Sequence, residues 1–325
     1  MEPSGSPRRK ACTRAVGAAW LAVGVLGASG GAAMASGTTV QNTERAGSRS
    51  FITSDGARLH YLEAGPSLAP TVIFVPGWTM PGWIFERQIA ALSDRFHVLA
   101  LDPRGQGESE VTRFGYTWER RGRDIGDLID HASGVSGNRD PVVLIGWSLG
   151  VLDSLSYVHQ AGDGKVAGLV LIDNSIGGPP APAARTDAST ASPADAAPLP
   201  EVERSRRRAA FVASMFAHDP GADYRARLTD QALRMDQADE RRLLAYDMPR
   251  ETWRAVVESV RAPVLYVIRP RWREQADNLI LTRPDATVAV FETAGHALFV
   301  DEPDRFNALL RDFLDRHVAP RGVVH

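Results

Sequence analysis

The chain has 325 residues, of which 44% are hydrophobic and 23% are charged, so it holds enough apolar side chains for one large folded domain. Its 37 lysines and arginines against 39 aspartates and glutamates leave a formal charge of -2 at neutral pH. A charge this close to zero excludes a strong overall field that would attract nucleic acid or an anionic membrane surface. We therefore expect a small-molecule partner and no nucleic acid.

Residues 1–35 have the layout of an export signal. Basic residues come first: Arg8, Arg9, Lys10 and Arg14. An apolar run follows at residues 15–33, and Ala33-Met34-Ala35 then matches a small-residue cleavage site. We therefore expect residues 1–35 to be a signal peptide and the mature protein to be periplasmic or secreted. An uncleaved N-terminal anchor stays open as the alternative, because the apolar run is near the length that spans a bilayer.

The single cysteine, Cys12, lies within the expected signal peptide. Its loss with that peptide would leave a mature chain without disulfides and without a cysteine nucleophile. We expect this mature chain to be a monomer with no stable membrane insertion.

Beyond a linker at residues 36–50, the chain alternates between strand and helix patterns. A hairpin is predicted where residues 51–53 and 59–62 flank Ser54-Asp55-Gly56. Short apolar runs then alternate with segments of helical period. The apolar runs are 72–75, 98–101, 142–145 and 169–172, and the helical segments are 84–92, 118–129 and 151–160. Runs that are apolar at every position are typical of strands buried on both faces, which predicts a parallel sheet covered by helices.

The alternation stops at Gly177. Residues 179–200 are almost wholly Pro, Ala, Ser, Thr and Asp, a composition typical of a linker. Three helical patterns follow, at residues 202–216, 224–235 and 240–260, and the strand and helix patterns then resume at 264–268, 275–281, 287–291 and 303–317. We therefore predict one core, made of residues 51–176 and 262–318, with a helical lid inserted at 177–261.

A serine between two glycines ends the apolar run at residues 142–145. The segment reads VVLIGWSLG, with Ser148 between Gly146 and Gly150. Glycines at these two positions allow a sharp turn from strand into helix that exposes the serine hydroxyl. The pattern therefore predicts that Ser148 is a nucleophile rather than a buried structural serine.

On these residues the chain resembles the α/β-hydrolase superfamily, and within it the cofactor-free serine esterases, haloperoxidase-like enzymes and lactonases. The resemblance covers residues 51–317. Its motifs are Ser54-Asp55-Gly56, Pro76-Gly77-Trp78, the turn at residues 101–109, the serine turn, Ala294-Gly295-His296 and Asp301-Glu302-Pro303. It implies an α/β-hydrolase fold, with a mostly parallel eight-stranded sheet, helices on both faces and a helical cap inserted between two strands.

The resemblance also implies a catalytic pair and an oxyanion hole. Among eight histidines, His296 alone directly follows the final strand pattern, and it would act as the base for Ser148. The N–H groups of Trp78 and Leu149 would stabilise the oxyanion. Pro76 stands where family members usually carry histidine. Because the donor at Trp78 is a main-chain group, we expect the oxyanion hole to be retained.

The acid that orients the histidine is absent from its usual loop, which reads Arg269-Pro270-Arg271-Trp272-Arg273. Asp173 follows the strand after the serine helix, where haloalkane dehalogenases carry their acid. Glu274 is nearer to the usual loop but falls in the first turn of a predicted helix, where the helix dipole alone favours a carboxylate. We favour Asp173, and three alternatives stay open: Glu274, an acid elsewhere in the chain, or a two-residue dyad.

Three further groups of residues allow a structural interpretation. Arginines at positions 204 and 206–208 are expected on the solvated face of a lid helix. Apolar side chains that could line a substrate pocket, or simply pack in the core, are Met80, Trp83, Trp147, Phe211, Met215 and Phe216. Asp102 and Arg104 are expected to hold a structural loop.

Together these features predict a serine hydrolase that cleaves an ester or lactone of a small, fairly apolar molecule through an acyl-enzyme. No cofactor or metal is implied, because the sequence has no metal-spaced His/Cys cluster and no Gly-rich phosphate loop. One alternative is a cofactor-free haloperoxidase or perhydrolase, in which peroxide replaces water. Another is a non-catalytic ligand-binding protein on the same scaffold, which the basic residues of 269–273 suggest.

Overall fold

The computed structural model describes residues 46–178 and 197–318. The expected signal peptide, residues 1–35, lies outside the described residues, as do most of the linker at 36–50 and most of the Pro/Ala-rich stretch. Within the described ranges, no helix is both long and apolar enough to cross a bilayer.

Eight strands form one mostly parallel sheet. They are β1 (Gly47–Ile52), β2 (Arg58–Ala64), β3 (Thr71–Val75), β4 (His97–Asp102), β5 (Val142–Trp147), β6 (Val166–Ile172), β7 (Val264–Ile268) and β8 (Thr287–Val290). Their order across the sheet is β1-β2-β4-β3-β5-β6-β7-β8. Strand β2 runs antiparallel to β1 and β4, and the remaining pairs are parallel. The predicted eight-stranded, mostly parallel sheet is confirmed.

Helices cover both faces of this sheet. They are α1 (Glu86–Leu92), α2 (Trp118–Ser136), α3 (Leu149–Ala161), α4 (Glu201–Ala213), α5 (Ala222–Ala232), α6 (Gln237–Arg242), α7 (Arg250–Ser259), α8 (Arg273–Thr282), α9 (Leu298–Asp301) and α10 (Pro303–His317). Successive residues of β3 point to opposite sides, as strand geometry requires. Ile73 belongs to a buried cluster that includes residues of α2, α3, α7 and α8, and Phe74 belongs to a second cluster that includes residues of α1 and α10.

The four helices α4 to α7 form the insertion between β6 and β7. One prediction here is wrong, because the single helix expected over residues 240–260 is two helices, α6 and α7. Pro249 precedes α7 directly. Proline has no N–H to donate and disfavours helical geometry at the residue before it, so Pro249 fits the start of α7 and not the interior of one long helix. Helix α6 has already ended at Arg242.

Strand β1 begins at Gly47, inside the range expected to be a linker. It pairs along its whole length with β2, from Gly47 opposite Glu63 to Ile52 opposite Arg58. This is an edge strand whose side chains are mostly exposed. The sequence missed its first half because a solvated edge strand does not need the continuous apolar run of a central strand.

Candidate active site

Ser148 lies in the tight turn between β5 and α3. Its backbone has φ 55° and ψ -120°, which is unusual for a residue with a side chain. A Cβ atom on Gly146 would lie 2.4 Å from the carbonyl oxygen of Gly150, and one on Gly150 would lie 2.1 Å from that of Val75. Both glycines are therefore required by the close approach of main chains, and the turn holds the serine hydroxyl at the carboxyl end of the sheet.

Three side chains form one hydrogen-bonded chain at this turn. The Nε2 atom of His296 lies 2.9 Å from the Oγ atom of Ser148, and the Nδ1 atom lies 2.7 Å from the Oδ2 atom of Asp173. A carboxylate only accepts hydrogen bonds, so Nδ1 carries the proton and Nε2 is left to accept from the serine hydroxyl. The imidazole is 21% exposed, whereas the carboxylate is 0% exposed.

The topology of the sheet explains why Asp173 lies close to Ser148. Strands β5 and β6 are parallel neighbours that end side by side, with Trp147 opposite Ile172. Ser148 and Asp173 are the next residue after each strand, so both side chains emerge at the same edge of the sheet. His296 reaches them from the loop between β8 and α9.

Arg269 binds the carboxylate of Asp173 from the loop after β7. Its main-chain N–H donates to Oδ1 at 3.1 Å, and its Nε donates to Oδ2 at 2.6 Å. The Asp173 N–H in turn donates to the Val267 carbonyl at 2.8 Å. The loop that usually carries the acid therefore supplies a cation that orients a carboxylate from the neighbouring strand.

Glu274 is not brought to His296. It lies exposed in the first turn of α8, the place where the helix dipole accounts for a carboxylate. Asp173 occupies the hydrogen-bonding position at Nδ1 instead.

The loop Pro76-Gly77-Trp78 passes directly over the serine. A Cβ atom on Gly77 would lie 2.9 Å from the Cβ and 3.4 Å from the Oγ of Ser148. Leu149 is the first residue of α3, so its N–H has no intrahelical acceptor. The N–H of Trp78 has no acceptor among the described residues either. Two unengaged main-chain donors thus lie beside the serine hydroxyl.

The lid arginines are divided between solvent and interior, which corrects the expectation of a solvated face. Arg206 and Arg207 are exposed and pair with Glu203. Arg204 and Arg208 are buried, because residues four apart share one face of a helix. Both inner arginines pair with the buried carboxylate of Glu240, at 3.1 Å and 2.8 Å.

The apolar candidates have different surroundings. Met80, Trp147 and Met215 are fully buried, whereas Trp83, Phe211 and Phe216 are half-buried. Trp147 supports the histidine loop, because its Nε1 donates to the His296 carbonyl at 2.9 Å.

Sequence reasoning missed this contact of Trp147 and one made by Asn174. The Asn174 side-chain amide donates to the Ser148 carbonyl at 2.6 Å. Only the folded chain brings these partners together, so no local signal could have identified them.

Asp102 and Arg104 have the surroundings expected of a structural loop. Asp102 accepts from the N–H groups of Gly82 at 2.5 Å and Glu108 at 2.6 Å. The Arg104 guanidinium pairs with Asp124 at 2.8 Å. In the described part of the chain, no group of three His, Cys, Asp or Glu side chains could hold a metal ion.

Comparison with known proteins identifies the family. The family model described as "Alpha/beta hydrolase family" matches residues 72–309. The chain belongs to this family. Its fold is also that of an esterase from Exiguobacterium antarcticum, with a TM-score of 0.68 at 20% identity over 82% of this chain and 98% of that one.

Two curated relatives of this α/β-hydrolase match a shorter stretch. A non-heme chloroperoxidase of Streptomyces lividans is 32% identical over 121 residues, or 37% of this chain and 42% of the relative. A bifunctional esterase/perhydrolase of Acinetobacter calcoaceticus is 31% identical over 121 residues, with the same two shares. The chain therefore spans less than half the length of these curated relatives.

Proposed function

We propose that this α/β-hydrolase is a serine hydrolase that cleaves an ester or lactone of a small, fairly apolar molecule. The observation that carries the proposal is the hydrogen-bonded chain from Ser148 through His296 to Asp173, with separations of 2.9 Å and 2.7 Å. A neutral serine hydroxyl is a poor nucleophile, and this arrangement supplies the base that activates it.

In the first half of the reaction, the Ser148 oxygen attacks the substrate carbonyl while its proton passes to Nε2 of His296. The N–H groups of Trp78 and Leu149 donate to the oxyanion that forms. His296 then gives the proton to the leaving alcohol oxygen as the carbon–oxygen bond breaks, which leaves an acyl-enzyme on Ser148. For a lactone, the leaving alcohol remains part of the acyl group.

In the second half, His296 accepts a proton from water, and the water oxygen attacks the acyl carbon. The collapse of the second oxyanion returns the proton to Ser148 and releases the acid. Asp173 holds the imidazole in the tautomer that both halves need and stabilises the imidazolium that forms in each. The partial exposure of the ring is compatible with entry of this water.

A second candidate is perhydrolysis, in which hydrogen peroxide attacks the acyl-enzyme and yields a peracid. The names of the two curated relatives, a chloroperoxidase and an esterase/perhydrolase, favour it. The same residues would carry both reactions. Two assays distinguish the reactions. Perhydrolysis is measured with peroxide, acetate and bromide by the halogenation of a reporter dye, and plain hydrolysis is measured with a p-nitrophenyl ester.

The test compares the wild type with Ser148→Ala, Asp173→Asn and Glu274→Gln. We expect a fluorophosphonate probe to label the wild type, and Ser148→Ala to lose both labelling and ester turnover. Asp173→Asn should lower kcat by at least about 10²-fold, because the imidazole loses its orienting acceptor. Glu274→Gln, the matched control, should stay within about threefold.

An unlabelled wild type would contradict the proposed nucleophile and favour the alternative of a ligand-binding protein without turnover. A large effect of Glu274→Gln with a small effect of Asp173→Asn would overturn the assignment of the acid.

A further inference from the structure

Thr79 has a backbone conformation that β-branched residues rarely adopt. Its φ is 60°, in the left-handed region. The Met80 N–H donates to the Gly77 carbonyl at 3.1 Å, which closes a four-residue turn with Thr79 in the third position. A positive φ there is typical of a type II turn, which usually has glycine or asparagine at that place. The conformation is strained for a β-branched residue, so other contacts must hold the turn.

The contacts that hold Thr79 come from the lid. Arg208 of α4 donates from Nη1 to the Thr79 hydroxyl at 3.1 Å, and that hydroxyl donates to the Trp78 carbonyl at 2.7 Å. Glycine would suit the backbone without strain. The Thr79 hydroxyl, however, accepts from Arg208 and donates to Trp78 through a single oxygen atom, and glycine would lose both hydrogen bonds.

The lid also holds the side chain of Trp78. The Arg208 guanidinium lies 4.2 Å from the centre of the indole ring, and the indole Nε1 donates to the Glu240 carbonyl at 2.6 Å. Glu240 of α6 pairs in turn with Arg208. Two helices of the lid, α4 and α6, therefore contact Trp78 in the loop that crosses Ser148, and α4 also contacts Thr79.

This arrangement buries two guanidinium groups, Arg204 and Arg208, around the buried carboxylate of Glu240. The exposed Glu201 pairs with Arg204. A buried charge is costly unless it is paired and hydrogen-bonded. Burial lowers the pKa of Arg208, which expresses that cost. Apolar residues could attach the lid to the core without the cost of burying charges. Attachment of the lid alone therefore does not explain this charged cluster.

We infer that Arg208, acting through the Thr79 hydroxyl, is a positioning residue for the Trp78 N–H of the oxyanion hole. The inference rests on the proposed function and makes the lid part of the machinery that stabilises the transition state. If the Trp78 N–H is slightly displaced, it stabilises the oxyanion of the transition state less well. We therefore expect kcat to fall while KM changes little.

The test measures kcat and KM on a p-nitrophenyl ester and the Ki of a trifluoromethyl ketone, which forms a tetrahedral adduct that needs the oxyanion hole. We expect Thr79→Val and Arg208→Met to lower kcat by about 10- to 100-fold and to weaken the ketone in parallel, with KM within about threefold. Thr79→Ser keeps the hydroxyl and should recover kcat to within about threefold of the wild type. Arg206→Met, on the exposed face of the same helix, is the matched control and should match the wild type.

Three outcomes would overturn the inference. The first is wild-type kcat and ketone affinity in Thr79→Val, and the second is an equal loss in Thr79→Ser and Thr79→Val. The third is a rise in KM alone, which would indicate ground-state substrate binding. If Thr79→Val or Arg208→Met does not fold, Thr79→Gly replaces it, because glycine adopts this φ without strain and lacks only the side chain. Wild-type kcat and ketone affinity in Thr79→Gly would then overturn the inference. A wild type that no fluorophosphonate labels would refute the proposed function itself.

Discussion

Backbone strain in the described part of the chain is concentrated at the candidate site. The three non-glycine residues with positive φ there are Thr79, Ser148 and Asp173. Each is held by hydrogen bonds, such as the one from the Ser148 N–H to the Ile172 carbonyl at 2.9 Å. Strained conformations persist only where the surroundings determine them fully. The residues proposed as nucleophile, acid and oxyanion loop are therefore held in place by the protein's own hydrogen bonds.

Gly77 offers a direct test of this preorganisation. In Gly77→Ala the new Cβ would lie 2.9 Å from the Ser148 Cβ and 3.3 Å from the Trp147 ring. The serine turn and the Trp147 ring are both fixed, so the loop must shift by a few tenths of an ångström and carry the Trp78 N–H with it. We expect kcat to fall at least about tenfold with the fold intact, as measured by ester turnover and circular dichroism.

Gly134→Ala is the control for this substitution. Gly134 lies in α2, and its new Cβ would meet nothing within 4 Å. Alanine there should leave turnover unchanged and stabilise the helix by about 0.5–1 kcal/mol. Undiminished turnover in Gly77→Ala would mean that the loop over the serine tolerates displacement.

At the residue scale, the sequence predicts what local chain geometry determines. The glycines around Ser148 and the position of His296 after the last strand identify these two residues as candidates for the site. The choice between Asp173 and Glu274 was not local, because it depends on which carboxylate reaches Nδ1 in the folded chain. Arg269 lies far along the chain from Asp173, so its hydrogen bond to that carboxylate could not be anticipated from spacing.

At the scale of elements, the lid is attached to the histidine loop as well as to the oxyanion loop. The attachment is Asp301, whose side chain is 0% exposed. Its carboxylate accepts from the N–H groups of Gly295 at 2.7 Å, Ala217 at 2.9 Å and His218 at 3.1 Å. One carboxylate thereby joins the segment after α4 to the loop that carries His296.

Asp301→Ala should therefore loosen two elements together. Three main-chain donors would lose their acceptor, and at about 1 kcal/mol each the free energy of unfolding should fall by about 2–4 kcal/mol. Turnover should also fall, because the histidine loop loses its support. Urea unfolding followed by fluorescence measures the first effect, and ester turnover measures the second.

Asp304→Ala, in the exposed first turn of α10, is the comparison and should cost less than about 1 kcal/mol. Equal losses of stability in Asp301→Ala and Asp304→Ala would contradict the role of Asp301.

At the scale of the whole molecule, the central sheet was predictable and its margins were not. Strands such as β3 are buried on both faces, so an unbroken apolar run identifies them. Strand β1 lies at the edge, where alternate side chains may face water without cost, and the sequence gives it a linker-like composition. Helix α6 ends at Arg242 and α7 starts only after Pro249, a separation that a helical period alone does not reveal.

An ion pair lies where the chain passes from the lid back into the core. It leads to a prediction about how the stability of the whole molecule depends on pH. Arg261 follows α7 and contacts Asp163, in the loop after α3. Its N–H donates to Oδ2 at 2.6 Å and its Nη2 lies 2.7 Å from Oδ1. The guanidinium and the N–H of Arg261 lower the pKa of Asp163 to about 2. The carboxylate thus stabilises the folded chain above its unfolded pKa of about 3.9, and this contribution is lost as the pH falls toward 2.

Asp163→Asn should consequently unfold more easily than the wild type at pH 7, and the difference should shrink as the pH falls from about 4 to about 2. Arg261 is 83% exposed, so solvent screening keeps the difference below about 1 kcal/mol. Urea unfolding at pH 7, 5, 4 and 3 measures it. Asp140→Asn, an exposed carboxylate without an ion pair in the described structure, should show no such trend. A gap between Asp163→Asn and the wild type that stays constant down to the lowest pH would mean that packing, rather than the charge of this carboxylate, closes the insertion.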